Sequence, residues 1–157
     1  MIKSAAELIR QVSLIWTPPP KLTVSEWADR YRYLPPESSP EPGKWKTSRV
    51  PYSKEPMDSV NEPLVEEIIL MWASQLCKTE IQINVIGYFV HQDPSPILKI
   101  DPSLEMAENF SKTRLSPTIR DTPVLAQRIA DPKARDSGNT ILMKNFPGGY
   151  LAMCGSN

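Results

Sequence analysis

Helical apolar spacing and short apolar runs alternate along this chain, divided by clusters of proline. Leu8, Ile9, Val12, Ile15 and Trp16 share one face of a helix predicted over Ser4 to Trp16, with Ser4 and Glu7 as a capping box. Pro18-Pro19-Pro20 stop it. Thr23 and Glu26 repeat the capping pattern, and Val24, Trp27, Ala28 and Tyr31 line a second helix that should end by Leu34, before Pro35-Pro36. Periodicity then fades. Six prolines fall between Pro35 and Pro56, which predicts an extended strap carrying Trp45 and Tyr52. One or two helical turns are expected over Pro56 to Asn61.

The pattern changes at Val65. An apolar run to Trp72 predicts a buried strand, Ser74 to Cys77 a turn, and Thr79 to Val90 a helix with Ile81, Val85, Tyr88 and Phe89 inward. Ile97 to Ile100 reads as a short strand. Ser103 is a natural N-cap for a helix with Leu104, Ala107, Phe110 and Leu115 as inner positions. Pro117 to Pro123 reads as irregular, Val124 to Ile129 as a short helix, and Asp131 to Asn139 as a polar loop. Two short apolar runs, Thr140 to Lys144 and Tyr150 to Cys154, flank Pro147-Gly148-Gly149 and predict a hairpin. Strand–helix–strand–helix implies an α/β plan with parallel strands and right-handed crossovers. The division expected is residues 1–62 as N-terminal helices and strap, and 63–157 as the α/β body.

Composition narrows the classes. At 157 residues the chain is one domain in size. Its 18 basic and 18 acidic residues cancel, so no global basic field points to nucleic acid. Arg114, Arg120, Arg128, Lys133 and Arg135 form a loose basic set, which also reads as a solvated face. Two distant cysteines, Cys77 and Cys154, and the single histidine, His91, make neither a disulfide framework nor a closed zinc site, and fit a reducing compartment. The longest apolar run, Ile68 to Ala73, is too short to span a membrane.

The chemistry concentrates at Ser74-Gln75-Leu76-Cys77-Lys78-Thr79-Glu80. A strand, a turn, Lys-Thr and a helix are the layout of a phosphate-binding loop. Backbone N–H groups at the helix start wrap phosphate, the lysine neutralises the β- and γ-phosphates, and the threonine hydroxyl ligates Mg²⁺. Trp72 and Cys77 stand where the general pattern has glycine, so on these residues alone an ordinary strand end and helix start is the competing reading. Trp45 and Tyr52 are candidates to lie on a nucleobase, against the alternative that they pack on the body.

Several segments in register carry a resemblance. They are Glu26-Trp27-Ala28-Asp29 with Tyr33-Leu34-Pro35; Pro42-Gly43-Lys44-Trp45; Ser74 to Glu80; Asp101-Pro102-Ser103 with Ala107-Glu108-Asn109-Phe110; Pro117 to Pro123; and Gly138-Asn139-Thr140 with Phe146-Pro147-Gly148-Gly149. From about residue 22 onward the chain resembles the N-terminal ATPase region of the large terminase subunit of tailed phages, the lambda-like GpA family. The resemblance implies a P-loop NTPase of the ASCE/RecA-like kind, its parallel sheet incomplete here. An N-terminal helical and Pro-rich extension would precede the sheet, and a C-terminal β-hairpin would close the chain. It implies ATP and Mg²⁺ as cofactors, with Lys78 as the catalytic lysine and Thr79 on the metal. The partners implied are double-stranded DNA, the small terminase subunit, the portal and procapsid, and further copies of the chain. The place implied is the virion-assembly machinery in the bacterial cytoplasm. Family members commonly have Gly where Cys77 stands. Their acidic Walker B pair and nuclease domain have no counterpart in this sequence, so a 157-residue piece inactive in ATP turnover is expected. A non-catalytic prophage remnant or assembly-only fragment is the alternative, and a helicase-like DNA-binding fold a third.

Overall fold

A computed structural model describes residues 20–130 and 138–156. The helix predicted over Ser4 to Trp16 lies outside them, as do residues 131–137 of the polar loop, including Lys133 and Arg135.

Helix α1, Val24–Tyr31, opens on the expected capping box, with the Thr23 side chain accepting from the Glu26 N–H and the Glu26 carboxylate accepting from the Thr23 N–H. It stops at Tyr31 rather than Leu34. Tyr33–Leu34 form a short strand, β1, paired antiparallel with β2, Gly43–Lys44, because the residues before Pro35-Pro36 are driven into extended backbone. Two 3₁₀ turns, Thr47–Arg49 and Pro51–Ser53, lead into helix α2, Lys54–Ser59.

The central element is helix α3, Lys78–His91. Ile81, Ile83, Asn84, Ile86, Gly87, Tyr88 and Val90 are all buried, so it is covered on nearly every side. Trp27 of α1, fully buried, lies across Gly87. A Cβ at Gly87 would stand 2.7 Å from Trp27 Cζ3 and closer still to Cη2, so only glycine admits this crossing. One core runs from Val24 and Trp27 through Met57 and α3 to Leu151 and Met153.

Strand β3, Ile97–Asp101, leads through the Ser103 N-cap into helix α4, Leu104–Phe110. Leu104 is exposed, not inward as expected. Ala107, Phe110 and Leu115 are buried as expected, and a π-helical turn, Ser111–Leu115, follows α4 and also buries Ser111. Ser116–Asp121 form helix α5 where irregular chain was expected: Pro117 sits at its start, where proline is tolerated. Helix α6 is Pro123–Ala126.

The hairpin is present as β4, Met143–Phe146, and β5, Gly149–Gly155. Gly148, after Pro147, takes the φ of 93° that this turn requires. The sheet order is β3-β5-β4, with β3 parallel and β4 antiparallel to β5. The parallel sheet expected from the sequence is therefore a small mixed one. The strand expected over Val65 to Trp72 is not formed. Among the described residues that segment has no ladder partner, and extended backbone without a partner is not a strand. It leaves Leu64, Val65, Ile69 and Met71 exposed. One sheet face carries Leu151, Met153 and Phe146 into the core; the other leaves Leu98, Ile100, Met143 and Tyr150 exposed.

Candidate functional site

Two non-glycine residues with left-handed backbone lie two positions apart in the turn before α3: Gln75 at φ 61° and Cys77 at φ 54°. Such conformations cost energy and cluster where a loop is shaped for function. Cys77 is the N-cap position of α3, and no side chain caps the helix there. The first-turn N–H groups are thus left for another acceptor, at the positive end of the helix dipole. Lys78 folds back over the loop. Its Nζ donates to the carbonyls of Trp72, at 2.7 Å, and Ala73, at 3.2 Å.

Opposite the loop runs the Pro-rich strap. Between them lies a cleft of about 580 Å³, of a size that holds a small ligand or cofactor. Gln75 to Glu80 form one wall. The strap from Leu34 to Val50 forms the other, with Pro40, Pro42 and Lys44 among its lining residues, and Arg114 from the π turn completes it. Five basic side chains, Lys44, Lys46, Arg49, Lys78 and Arg114, face it against two acidic ones, Glu41 and Glu80. Glu41 is engaged by Arg49. Glu80 is engaged at 2.9 Å by Arg32, whose side chain is fully buried. Burial pulls the Arg32 pKa down to about 10, with Glu80 opposing the shift, so Arg32 remains charged at neutral pH. The cleft therefore keeps a surplus of positive charge suited to an anion.

Ser74 to Glu80 run through the turn before α3 into the first turn of that helix. Trp45 is 4% exposed and its indole N–H donates to Thr47 Oγ1 at 3.0 Å. It packs largely on the body, and it also contributes to the lining of the cleft. Tyr52 is exposed but stands edge-on to Trp72, with ring centroids 5.4 Å apart. Its hydroxyl is 3.8 Å from Cys77 Sγ, a contact that raises the phenol pKa. It flanks the loop from outside the cleft lining. Sequence reasoning missed Arg32, Lys46, Arg49 and the cleft position of Arg114. Lys44 sits inside the Pro42-Gly43-Lys44-Trp45 motif of the strap. Of the loose basic set, Arg120 is held by Glu37 and Asp121 on the surface. Among the described residues no three His, Cys, Asp or Glu side chains group as a metal site, and no helix is long and apolar enough to cross a membrane.

The family model for the phage terminase large subunit gpA, ATPase domain, matches residues 39–157. The chain is similar to the terminase large subunit of Enterobacteria phage P21, at 30% identity over 136 residues, covering 87% of this chain and 21% of that protein. It is similar also to the terminase large subunit of Escherichia phage lambda, at 31% identity over 140 residues, covering 89% of this chain and 21% of that protein. The chain thus spans about one fifth of the length of these relatives. No solved structure matches it.

Proposed function

The chain belongs to the gpA family of phage terminase large subunits, in its ATPase domain, and from that premise we propose that it is the ATP-binding part of a viral DNA-packaging motor. The observation that carries this reading is the turn at Gln75 to Cys77: left-handed backbone, an uncapped helix start and a lysine at its head, all facing a basic cleft. In this reading Ser74 to Cys77 and the first-turn N–H groups hold the phosphates. Lys78 leaves the carbonyls of Trp72 and Ala73 to neutralise them, and Thr79 supplies a hydroxyl to Mg²⁺. Bound ATP with Mg²⁺ supplies the phosphoryl-transfer chemistry. Cys77 in place of glycine does not oppose the reading, because its backbone already takes the left-handed conformation that glycine favours. The apolar lining at Leu34, Pro42 and Val50 suits the nucleobase.

Coupling of hydrolysis to the movement of double-stranded DNA into a procapsid, with a small terminase subunit and portal as partners, is proposed for the whole subunit. Equilibrium binding of a fluorescent ATP analogue to the full chain, with and without Mg²⁺, tests the site. Lys78→Ala should abolish binding while leaving the fold intact, since Lys78 Nζ is bonded only to backbone carbonyls at the surface. Equal binding by both proteins refutes the assignment.

A further inference from the structure

Arg114 occupies an unusual position. It lies in the π-helical turn Ser111–Leu115, a local irregularity common at functional sites. From there its side chain crosses into the cleft and touches both walls. Its NH1 donates to the carbonyl of Ser38 on the strap at 2.8 Å. The same nitrogen stands 3.9 Å from Glu80 Oε1, in the first turn of α3 beside Lys78 and Thr79. That contact to Glu80 is long for a charge-assisted hydrogen bond. The other oxygen of Glu80 is already taken by buried Arg32 at 2.9 Å. Arg114 is also partly exposed, 43% by side chain. It is thus a guanidinium held at the phosphate loop without a close carboxylate partner.

We propose that Arg114 is a γ-phosphate-recognising residue that closes the strap on the triphosphate. This rests on the nucleotide reading above. A phosphate next to Lys78 and Thr79 offers Arg114 a full negative charge in place of its distant contact with Glu80. Arginine is suited to this because its planar fork donates two bonds to phosphate. Arg32 keeps Glu80 neutralised when Arg114 leaves, so the exchange uncovers no unpaired carboxylate. The remaining bond to Ser38 then ties the strap to the bound ligand. The contact is specific to the terminal phosphate, so ATP and ADP should be told apart by Arg114.

The test is binding of fluorescent ATP and ADP analogues with Mg²⁺ to the full chain and to Arg114→Gln, Arg114→Lys and Lys78→Ala, with cleavage of the strap by a protease as the second readout. Arg114→Gln should weaken ATP about tenfold, the size expected for losing a hydrogen bond to a charged group, and ADP by less than about twofold. ATP should slow strap cleavage in the parent and not in Arg114→Gln. Lys78→Ala should weaken both nucleotides. If Lys78→Ala abolishes binding while Arg114→Gln binds ATP as the parent does, the role of Arg114 falls and the nucleotide site stands. Equal weakening of ATP and ADP by Arg114→Gln also overturns it. If the parent binds neither nucleotide, both fall. Should Arg114→Gln fail to fold, Arg114→Lys decides: it keeps the charge but loses the fork, and parent-like ATP affinity with parent-like strap protection overturns the proposal.

Discussion

Replacing Cys77 with glycine asks where the strain of the loop is borne. Cys77 holds φ 54° as part of the folded protein's own geometry. A side chain in left-handed backbone costs roughly 1–2 kcal/mol, and glycine removes that cost. Glycine also widens the unfolded ensemble, which returns about 0.4–1 kcal/mol. The 3.8 Å contact between Tyr52 Oη and Cys77 Sγ is lost as well, but it is long, involves a weak acceptor and lies at the surface. The expected net is a stabilisation of about 0.5–1 kcal/mol, or about 2 °C in the melting midpoint. Urea unfolding of nucleotide-free protein measures it, with the slope unchanged. Cys77→Ala is the control: it keeps a Cβ at φ > 0 and should gain nothing. Because the strain is common to the nucleotide-free and bound protein, ATP affinity should change by less than about threefold. An ATP dissociation constant that falls about tenfold in Cys77→Gly, with no gain in stability, would refute this reasoning. It would mean that the loop turns left-handed only around phosphate.

Gly87→Ala should destabilise the chain by about 1–3 kcal/mol or more through overpacking against Trp27, read as a lower urea midpoint; parent-like stability would show that α1 does not cross α3 as described. His91 Nδ1 accepts a hydrogen bond from Trp27 Nε1 at 3.1 Å, and burial first, then the charge of Arg128, lowers its pKa. Its contribution should be complete above the unfolded value of about 6.5 and be lost as pH falls towards the lower folded value. A melting profile whose pH dependence in that window is unchanged in His91→Gln would contradict this. Arg32→Met should cost about 3–5 kcal/mol by leaving Glu80 without its buried partner. Pairing it with Glu80→Gln should recover part of the loss in a double-mutant cycle; strict additivity would mean that the pair is not coupled.

Local signals were legible where the cause was local. The Thr23 and Glu26 capping box, the Ser103 cap, the Pro147-Gly148 turn and the start of α3 at Lys78 all depend on residues within a few positions of one another. The turn at Ser74 to Cys77 was legible for the same reason, and six short motifs in register pointed to the family. Tertiary structure decided the rest. The stretch Val65 to Trp72, with the apolar run from Ile68, has the composition of a strand, but a strand exists only in a ladder, and no described segment pairs with it. The sheet became mixed because β5, not the predicted loop strand, pairs with β3. The charged members of the sheet's inner face follow no hydrophobic pattern: Lys99 is satisfied by Asp101 at 2.5 Å and by the ring of Phe110, and Lys144 by the Thr140 carbonyl at 2.6 Å. The cleft lay furthest from view. Arg32, Lys44, Glu80 and Arg114 are scattered along the chain, and only the fold of the strap over α3 brings their charges to one loop.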